Sequence, residues 1–171
     1  MYRVFISTPG DLEPDRDIVR SVVSSVNETD AMPDKILLVS VGLPNHDLIV
    51  SFRSAVSQNI RDCTYFIQVF QDDWGPKDLF RKMFFLSAEC RDDAGLPMRD
   101  VVVCLKAAPH EIDPQILAFR KELEDRQDVR VFHYDHLDQL KTQLAEVCKG
   151  WVHAIQQSSG GGSAGAAQGG S

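Results

Sequence analysis

The first residues that could do chemistry form a short turn near the start of the chain, Ser7-Thr8-Pro9-Gly10-Asp11. The turn follows an apolar stretch, "YRVFIS", and precedes a stretch with helical apolar spacing, so it joins a strand to a helix. Gly10 allows the backbone to turn closely, and the free N–H groups at the helix start can bind an anion. Ser7, Thr8, Gly10 and Asp11 are therefore candidate ligand-binding residues, but the sequence alone favours the interpretation that Ser7, Thr8 and Asp11 cap the turn and the helix.

Arg16 follows this turn on the first helix, which has Pro14 in its first turn. A guanidinium at this place could reach a ligand phosphate. Asp11 and Glu13 are close in sequence, and we expect Arg16 to pair with one of them instead.

The remaining chain alternates apolar runs of strand length with stretches of helical apolar spacing. The predicted strands are 2–7, 35–42, 64–70, 101–105 and 128–134. The predicted helices run from Pro14 to near Asn27 and over 47–61, 79–93, 113–126 and 135–156. Asp113-Pro114 provides an N-cap followed by a proline at the first helical position.

This alternation predicts an α/β domain with a five-stranded parallel sheet, because no two consecutive strands are joined by a hairpin-type turn. Right-handed crossovers place helices on both faces, and the flavodoxin-like strand order 2-1-3-4-5 is the natural expectation. A functional crevice is then expected beyond the carboxyl ends of the strands, where the strand order reverses.

The chain divides into a domain over 1–156 and a Gly/Ser/Ala-rich stretch over 157–171. The second stretch has no core-forming residues, which is typical of a flexible linker or a tag. A linker at this place would connect the domain to a downstream domain.

Composition excludes several function classes. The formal net charge is −7, which argues against a nucleic-acid partner because phosphate binding needs a basic face. We find no apolar run of membrane-spanning length and no signal peptide, so we expect a cytoplasmic protein with no membrane partner. The four cysteines and five histidines lack zinc-site spacing, and no metal or cofactor is expected.

Three other α/β classes lack their motifs here. Only Gly10 follows the first strand, where a dinucleotide site needs G-x-G-x-x-G, and there is no phosphate-binding P-loop. Asp72 and Asp73 follow strand 3 as in a receiver domain, but the acidic pair after strand 1 and the lysine after strand 5 are missing.

The helix predicted over 79–93 carries more large apolar residues than one buried stripe requires. We therefore expect part of this helix to face a partner. The candidate interaction residues are Phe80, Met83, Phe84 and Phe85.

The stretch "VFISTPGDLEPDRDIVRSVV" resembles the opening of a widespread domain of unknown function whose usual form is VFISSPGD, three variable positions, a glutamate and an arginine; here Asp15-Arg16 stands in place of Glu-Arg. In that family the third strand ends in an aromatic-Gly turn, matched here by Trp74-Gly75, and a Ser and a Glu follow on the next helix, matched by Ser87 and Glu89. The resemblance covers residues 3–105. The segment "PKDLFRKMFFL" departs from the family by being basic and aromatic.

The family is similar to TIR (Toll/interleukin-receptor) domains and nucleoside deoxyribosyltransferases, and it typically lies N-terminal to NTPase or repeat modules in signalling and defence proteins. The resemblance implies a self-associating signalling module, whose partner is its own kind or another TIR-like domain. It also implies an alternative, cleavage of NAD at the nicotinamide–ribose bond. Glu89 would then be the catalytic carboxylate, with NAD as substrate, and Ser7, Asp11 and Trp74 would line the site.

Overall fold

A computed structural model of the protein describes residues 1–42, 55–75, 78–108 and 113–160. The strands are β1 (Tyr2–Ser7), β2 (Leu38–Gly42), β3 (Tyr65–Phe70), β4 (Asp100–Lys106) and β5 (Arg130–Tyr134). The helices are α1 (Glu13–Val26), α2 (Ser57–Arg61), α3 (Leu79–Asp92), α4 (Pro114–Asp125) and α5 (Leu137–Gly160). The predicted start of the second helix, 47–54, lies outside the described residues.

The five strands form one sheet with the order β2-β1-β3-β4-β5, and every neighbouring pair is parallel. The prediction of a flavodoxin-like parallel sheet with helices on both faces is therefore confirmed. The strand order reverses between β1 and β3, so the switch point lies where these two central strands end.

Alternate residues of the strands supply two separate cores. On one face α1 and α5 pack against Val4, Ile67 and Val102. On the other face residues from α2, α3 and α4 pack against Phe5, Phe66 and Val101. Burial on both faces explains why the central strands read as continuous apolar runs rather than alternating ones.

Strand β2 begins at Leu38, later than predicted. Lys35 has a left-handed backbone with φ of 60°, so the chain turns there before it can become extended. The Asn27 side chain then fixes the strand start, because its amide donates to the Leu38 carbonyl at 2.7 Å and its oxygen accepts from the Leu38 N–H at 2.8 Å.

Helix α5 continues through Gly160, into the stretch predicted as linker. The hydroxyls of Ser158 and Ser159 donate to the carbonyls of Ala154 and Ile155, one helical turn earlier, at 2.9 and 3.1 Å. Residues 161–171 lie outside the described residues. At α4 the predicted N-cap is confirmed, since Asp113 accepts from the Gln115 N–H at 2.8 Å.

The turn after β3 depends on Gly75, which has a φ of +69°. A Cβ added at Gly75 would lie 2.4 Å from the Phe80 ring, too close for any side chain. The Phe80 N–H donates to the Trp74 carbonyl across this turn at 3.1 Å, which brings the ring beneath the glycine.

Replacing Gly75 by alanine should therefore destabilise the protein by about 1–3 kcal/mol, because strain and overpacking add together. Urea unfolding followed by circular dichroism measures this change. Gly150→Ala in α5 is the control, because its added Cβ meets no atom within 4 Å. That control should stabilise by about 0.5–1 kcal/mol through helix propensity. Equal effects of the two changes would contradict the argument.

Candidate functional site

The switch point brings polar side chains of β1 and β3 together. Ser7 is the register partner of Gln68, two residues beyond the stacked pair Phe5 and Phe66 on the same face of the sheet. Thr8 follows Ser7 directly. The carboxyl ends of these two strands therefore place three polar side chains at the expected crevice.

These three side chains are buried but incompletely bonded. Ser7 is 0% exposed and Gln68 is 2% exposed, and Thr8 is also buried. Both hydroxyls and the Gln68 amide oxygen lack a hydrogen-bond partner among the described residues. The Gln68 amide nitrogen donates to the Val69 carbonyl at 3.3 Å. Unsatisfied buried polar atoms cost about 1–3 kcal/mol each, so this cluster has unused capacity for a ligand.

The opening turn becomes exposed only after Pro9. Gly10 and Asp11 lie at the surface in a short 3-10 turn, closed by a bond from the Leu12 N–H to the Pro9 carbonyl at 3.0 Å. The structure gives no side-chain cap to this turn or to the start of α1.

Arg16 does not pair with Asp11 or Glu13 within the described part of the chain, which corrects that expectation. Its guanidinium instead donates to the carbonyls of Thr8 and Pro9 at 3.2 and 3.4 Å. These carbonyls point back along the turn toward the helix. Arg16 therefore holds the turn in place, as a positioning residue.

A buried ion pair lies at the same edge of the sheet. Asp15, in the first turn of α1, is 1% exposed, and its two oxygens accept from the Lys106 ammonium at 3.0 and 3.1 Å. The Tyr134 hydroxyl donates to the same carboxylate at 3.1 Å. Burial, together with the Asp15 charge, raises the pKa of Tyr134, so the phenol stays protonated and can donate. The cluster ties α1 to the ends of β4 and β5.

Trp74 packs against neighbouring side chains at the end of β3. Its ring lies 5.7 Å from the Phe119 ring, and the Arg81 guanidinium lies over it at 4.9 Å. The indole N–H has no partner among the described residues. This arrangement holds the turn against the second core, and the half-buried ring keeps part of its surface accessible.

Ser87 is fully buried in α3. Its hydroxyl donates to the Phe84 carbonyl at 2.7 Å, three residues earlier in the same helix. The hydroxyl proton is therefore bonded within the helix, which is common for buried serines in helices.

Glu89 is exposed on the outer surface of α3. It lines a cleft of about 440 Å³, called the α3 cleft below, whose described walls are Asp78, Arg81, Lys82, Phe85, Leu86 and Glu89. Ser7 and Trp74 are absent from these described walls. Glu89 and the polar cluster at the switch point therefore do not share the described walls of this cleft.

The expected interaction residues divide into two sets. Phe80, Met83 and Phe84 are buried in the second core, which corrects the expectation that they face a partner. The helix is covered on more than one side, because Phe84 and Phe119 of α4 meet edge-to-face at 5.9 Å. Phe85 alone is partly exposed, in the α3 cleft.

The four cysteines are free and buried. Burial raises the pKa of Cys63 to about 11 and that of Cys148 to about 12, and it also raises the pKa values of Cys90 and Cys104. Thiols with such pKa values remain protonated at neutral pH, so they are poor nucleophiles and poor metal ligands. Across the described ranges no cluster of His, Cys, Asp or Glu could hold a metal ion.

Sequence reasoning missed Gln68 and the partners of Asp15. Gln68 had a visible signal, since it is the one polar residue inside the strand "YFIQVF". Asp15 had none, because Lys106 and Tyr134 are 91 and 119 residues away in the chain.

The sheet order and its two helical layers define a flavodoxin-like α/β domain. No protein-family profile matches the chain, and no curated protein matches it. Among the solved structures that the chain matches are the TIR domains of the activated Roq1 resistosome directly recognizing the pathogen effector XopQ. The identity is 14%, over 86% of this chain and 84% of that one, with a TM-score of 0.38. The fold class stated here rests on the sheet itself. In the described part of the chain, no helix is long and apolar enough to cross a bilayer.

Replacing Lys106 by methionine should lower the free energy of unfolding by about 3 kcal/mol, because it leaves the buried Asp15 carboxylate without its counter-charge. Adding Asp15→Asn in the same chain should recover part of that loss. Urea unfolding of the wild type, both single variants and the double variant measures the coupling.

The matched control is Lys149→Met, which breaks an exposed pair with Glu146 at 3.9 Å. It should change stability by less than about 0.5 kcal/mol. A Lys106 effect no larger than the control would show that the buried pair does not hold α1 to the sheet.

Proposed function

We propose that this chain is a TIR-like interaction module that associates with a second copy of itself. We further propose that it is the N-terminal effector or adaptor domain of a larger signalling or defence protein. The observation that carries the first proposal is the composition of the α3 cleft. The larger context is supported by the resemblance of the opening motif.

The α3 cleft combines apolar surface with charges, as protein interfaces do. Phe85 is partly exposed and Leu86 lies beside it. Arg81 extends over the Phe85 ring at 5.7 Å, which holds its guanidinium in place at the surface. A partner would therefore meet a preformed aromatic and cationic surface, and would pay little entropy to order it.

The charges of the α3 cleft suit a second copy of the same chain. Arg81 and Lys82 are cationic, whereas Asp78 and Glu89 are anionic, and all four line one cleft on one helix. A two-fold axis through such a surface places the cations of one copy against the carboxylates of the other. In this arrangement Glu89 pairs with a cation of the second copy, and this role requires no catalysis.

Lys82→Glu should weaken self-association at least about tenfold, because it replaces an attraction across the axis by a repulsion. Lys82 is exposed, so the fold should be unaffected. Sedimentation velocity over a concentration series measures the dissociation constant. The matched control is Lys121→Glu, the same charge change at an exposed site on α4.

The control should associate like the wild type. A wild-type chain that stays monomeric at every concentration would contradict the proposal. Equal weakening by Lys82→Glu and Lys121→Glu would place the contact elsewhere.

A second candidate function is supported by the switch point. The buried polar atoms of Ser7, Thr8 and Gln68 that have no partner among the described residues could bind a ligand at the place where such folds hold nucleotides. We propose as this alternative an NAD(P)-cleaving N-glycosidase that uses Glu89. Association could bring Glu89 of one copy to the switch point of another, so the two functions are compatible.

This alternative predicts release of nicotinamide from NAD at high protein concentration with a crowding agent. Glu89→Gln should reduce the release at least about a hundredfold, because it removes the carboxylate that stabilises the ribosyl cation. Glu122→Gln, at an exposed site on α4, is the control and should retain full activity. Chromatography quantifies nicotinamide, and no release by the wild type would contradict the enzyme.

A further inference from the structure

A second cleft lies at the opposite edge of the sheet from the switch point. It has a volume of about 480 Å³, within the range of small-molecule sites. Its walls include Asp100 and Arg130, which begin β4 and β5, and the C-terminal half of α5 forms one side. It is called the amino-edge cleft below. Nothing in the proposed function uses it.

Three arginines line the amino-edge cleft together with two aspartates. Asp100 is already neutralised, because one of its oxygens forms an ion pair with the Arg130 Nε at 3.1 Å and accepts from the Trp151 indole at 2.8 Å. Asp128 is held by Arg126 through two bonds of 2.9 and 2.6 Å. That pairing lowers the pKa of Asp128, so the carboxylate stays ionised and paired. Both aspartates are therefore committed.

The other two arginines, Arg91 and Arg99, have no close carboxylate partner among the described ion pairs. The nearest carboxylate to Arg91 among the described ion pairs is Asp92 at 3.8 Å, a long contact at the surface. The Arg91 Nε is buried and has no hydrogen-bond partner among the described residues. Arg99 lies over the Tyr2 ring at 5.5 Å and makes no ion pair within the described part of the chain.

This positive charge in the cleft contrasts with the whole chain, which is acidic and has a net charge of −7. Three guanidinium groups against two carboxylates in one concave site concentrate positive potential there. Guanidinium groups bind phosphate through paired N–H donors, and they do so better than ammonium groups because of their planar fork.

The cleft has room for a bound group because Gly150 lies in its α5 wall. A Cβ at this position would meet no atom within 4 Å, so the space above the helix backbone is open. A larger side chain at Gly150 would fill the cleft without a clash at its Cβ and without changing any charge.

We propose that the amino-edge cleft binds a phosphate group, free or carried by a small phosphorylated molecule, between Arg91 and Arg99. Arg130, paired with Asp100, adds a third guanidinium at the site. This ligand site is separate from the α3 cleft and from the switch point, so it does not depend on either proposed function.

Isothermal titration calorimetry at constant ionic strength tests the proposal with three probes: inorganic phosphate, pyrophosphate and adenosine monophosphate. The double variant Arg91→Gln/Arg99→Gln removes the donors. Gly150→Phe fills the cleft and keeps every charge, so it carries the test should the arginine variant fail to fold. The control Lys121→Gln/Lys141→Gln makes the same charge change at exposed sites outside the described cleft walls.

The wild type should bind at least one probe, and both cleft variants should weaken it at least about tenfold. The control should stay within about twofold. Tighter binding of phosphate or pyrophosphate identifies a free anion, and tighter binding of the monophosphate identifies an esterified one. No binding of any probe up to about 10 mM, or equal weakening by the control, would overturn the proposal.

Discussion

The parallel pairing of β1 with β3 determines which side chains lie on each face of the sheet and at the ends of its strands. The register sets Phe5 against Phe66 on the face covered by α3, and the same alternation aligns Ser7 with Gln68 two residues later. A shift by one residue would exchange the side chains of the two faces, so the rings of Phe5 and Phe66 would leave the face covered by α3 for the face covered by α1 and α5. The polar cluster at the switch point is thus a consequence of the packing of the apolar part of the same strands.

The register of β1 and β3 keeps three surfaces of the domain apart. The switch point holds buried polar atoms, the outer side of α3 holds Glu89 among charges of both signs, and the amino-edge cleft holds three arginines. The Asp15–Lys106 pair fixes α1 to the carboxyl ends of the strands. Arg16, on the same helix, and a backbone hydrogen bond hold the turn that follows β1. The domain can present a rigid α3 surface because the residues beneath it are core residues.

The fold was predictable because its signals are local. Runs such as "YFIQVF" and "VVVCL" are too apolar for any place but a sheet covered on both faces, and the Asp113-Pro114 cap marks the start of α4 in the sequence itself. The site was less predictable because its contacts are distant in sequence. Nothing near Asp15 indicates Lys106, and the apolar count of α3 could not show that α4 covers Phe84 and leaves Phe85 partly exposed. Burial of helix residues depends on which helices neighbour them, and pattern alone does not give that.

The claim that α3 is a self-association surface is tested most directly by a dilution series of ¹H–¹⁵N correlation spectra. Each backbone amide reports its own surroundings, so the shifts locate a contact as well as detect it. Concentration-dependent shifts confined to residues 78–89 are the expected result. Shifts that map to another face, or spectra that do not change with concentration, would contradict the account.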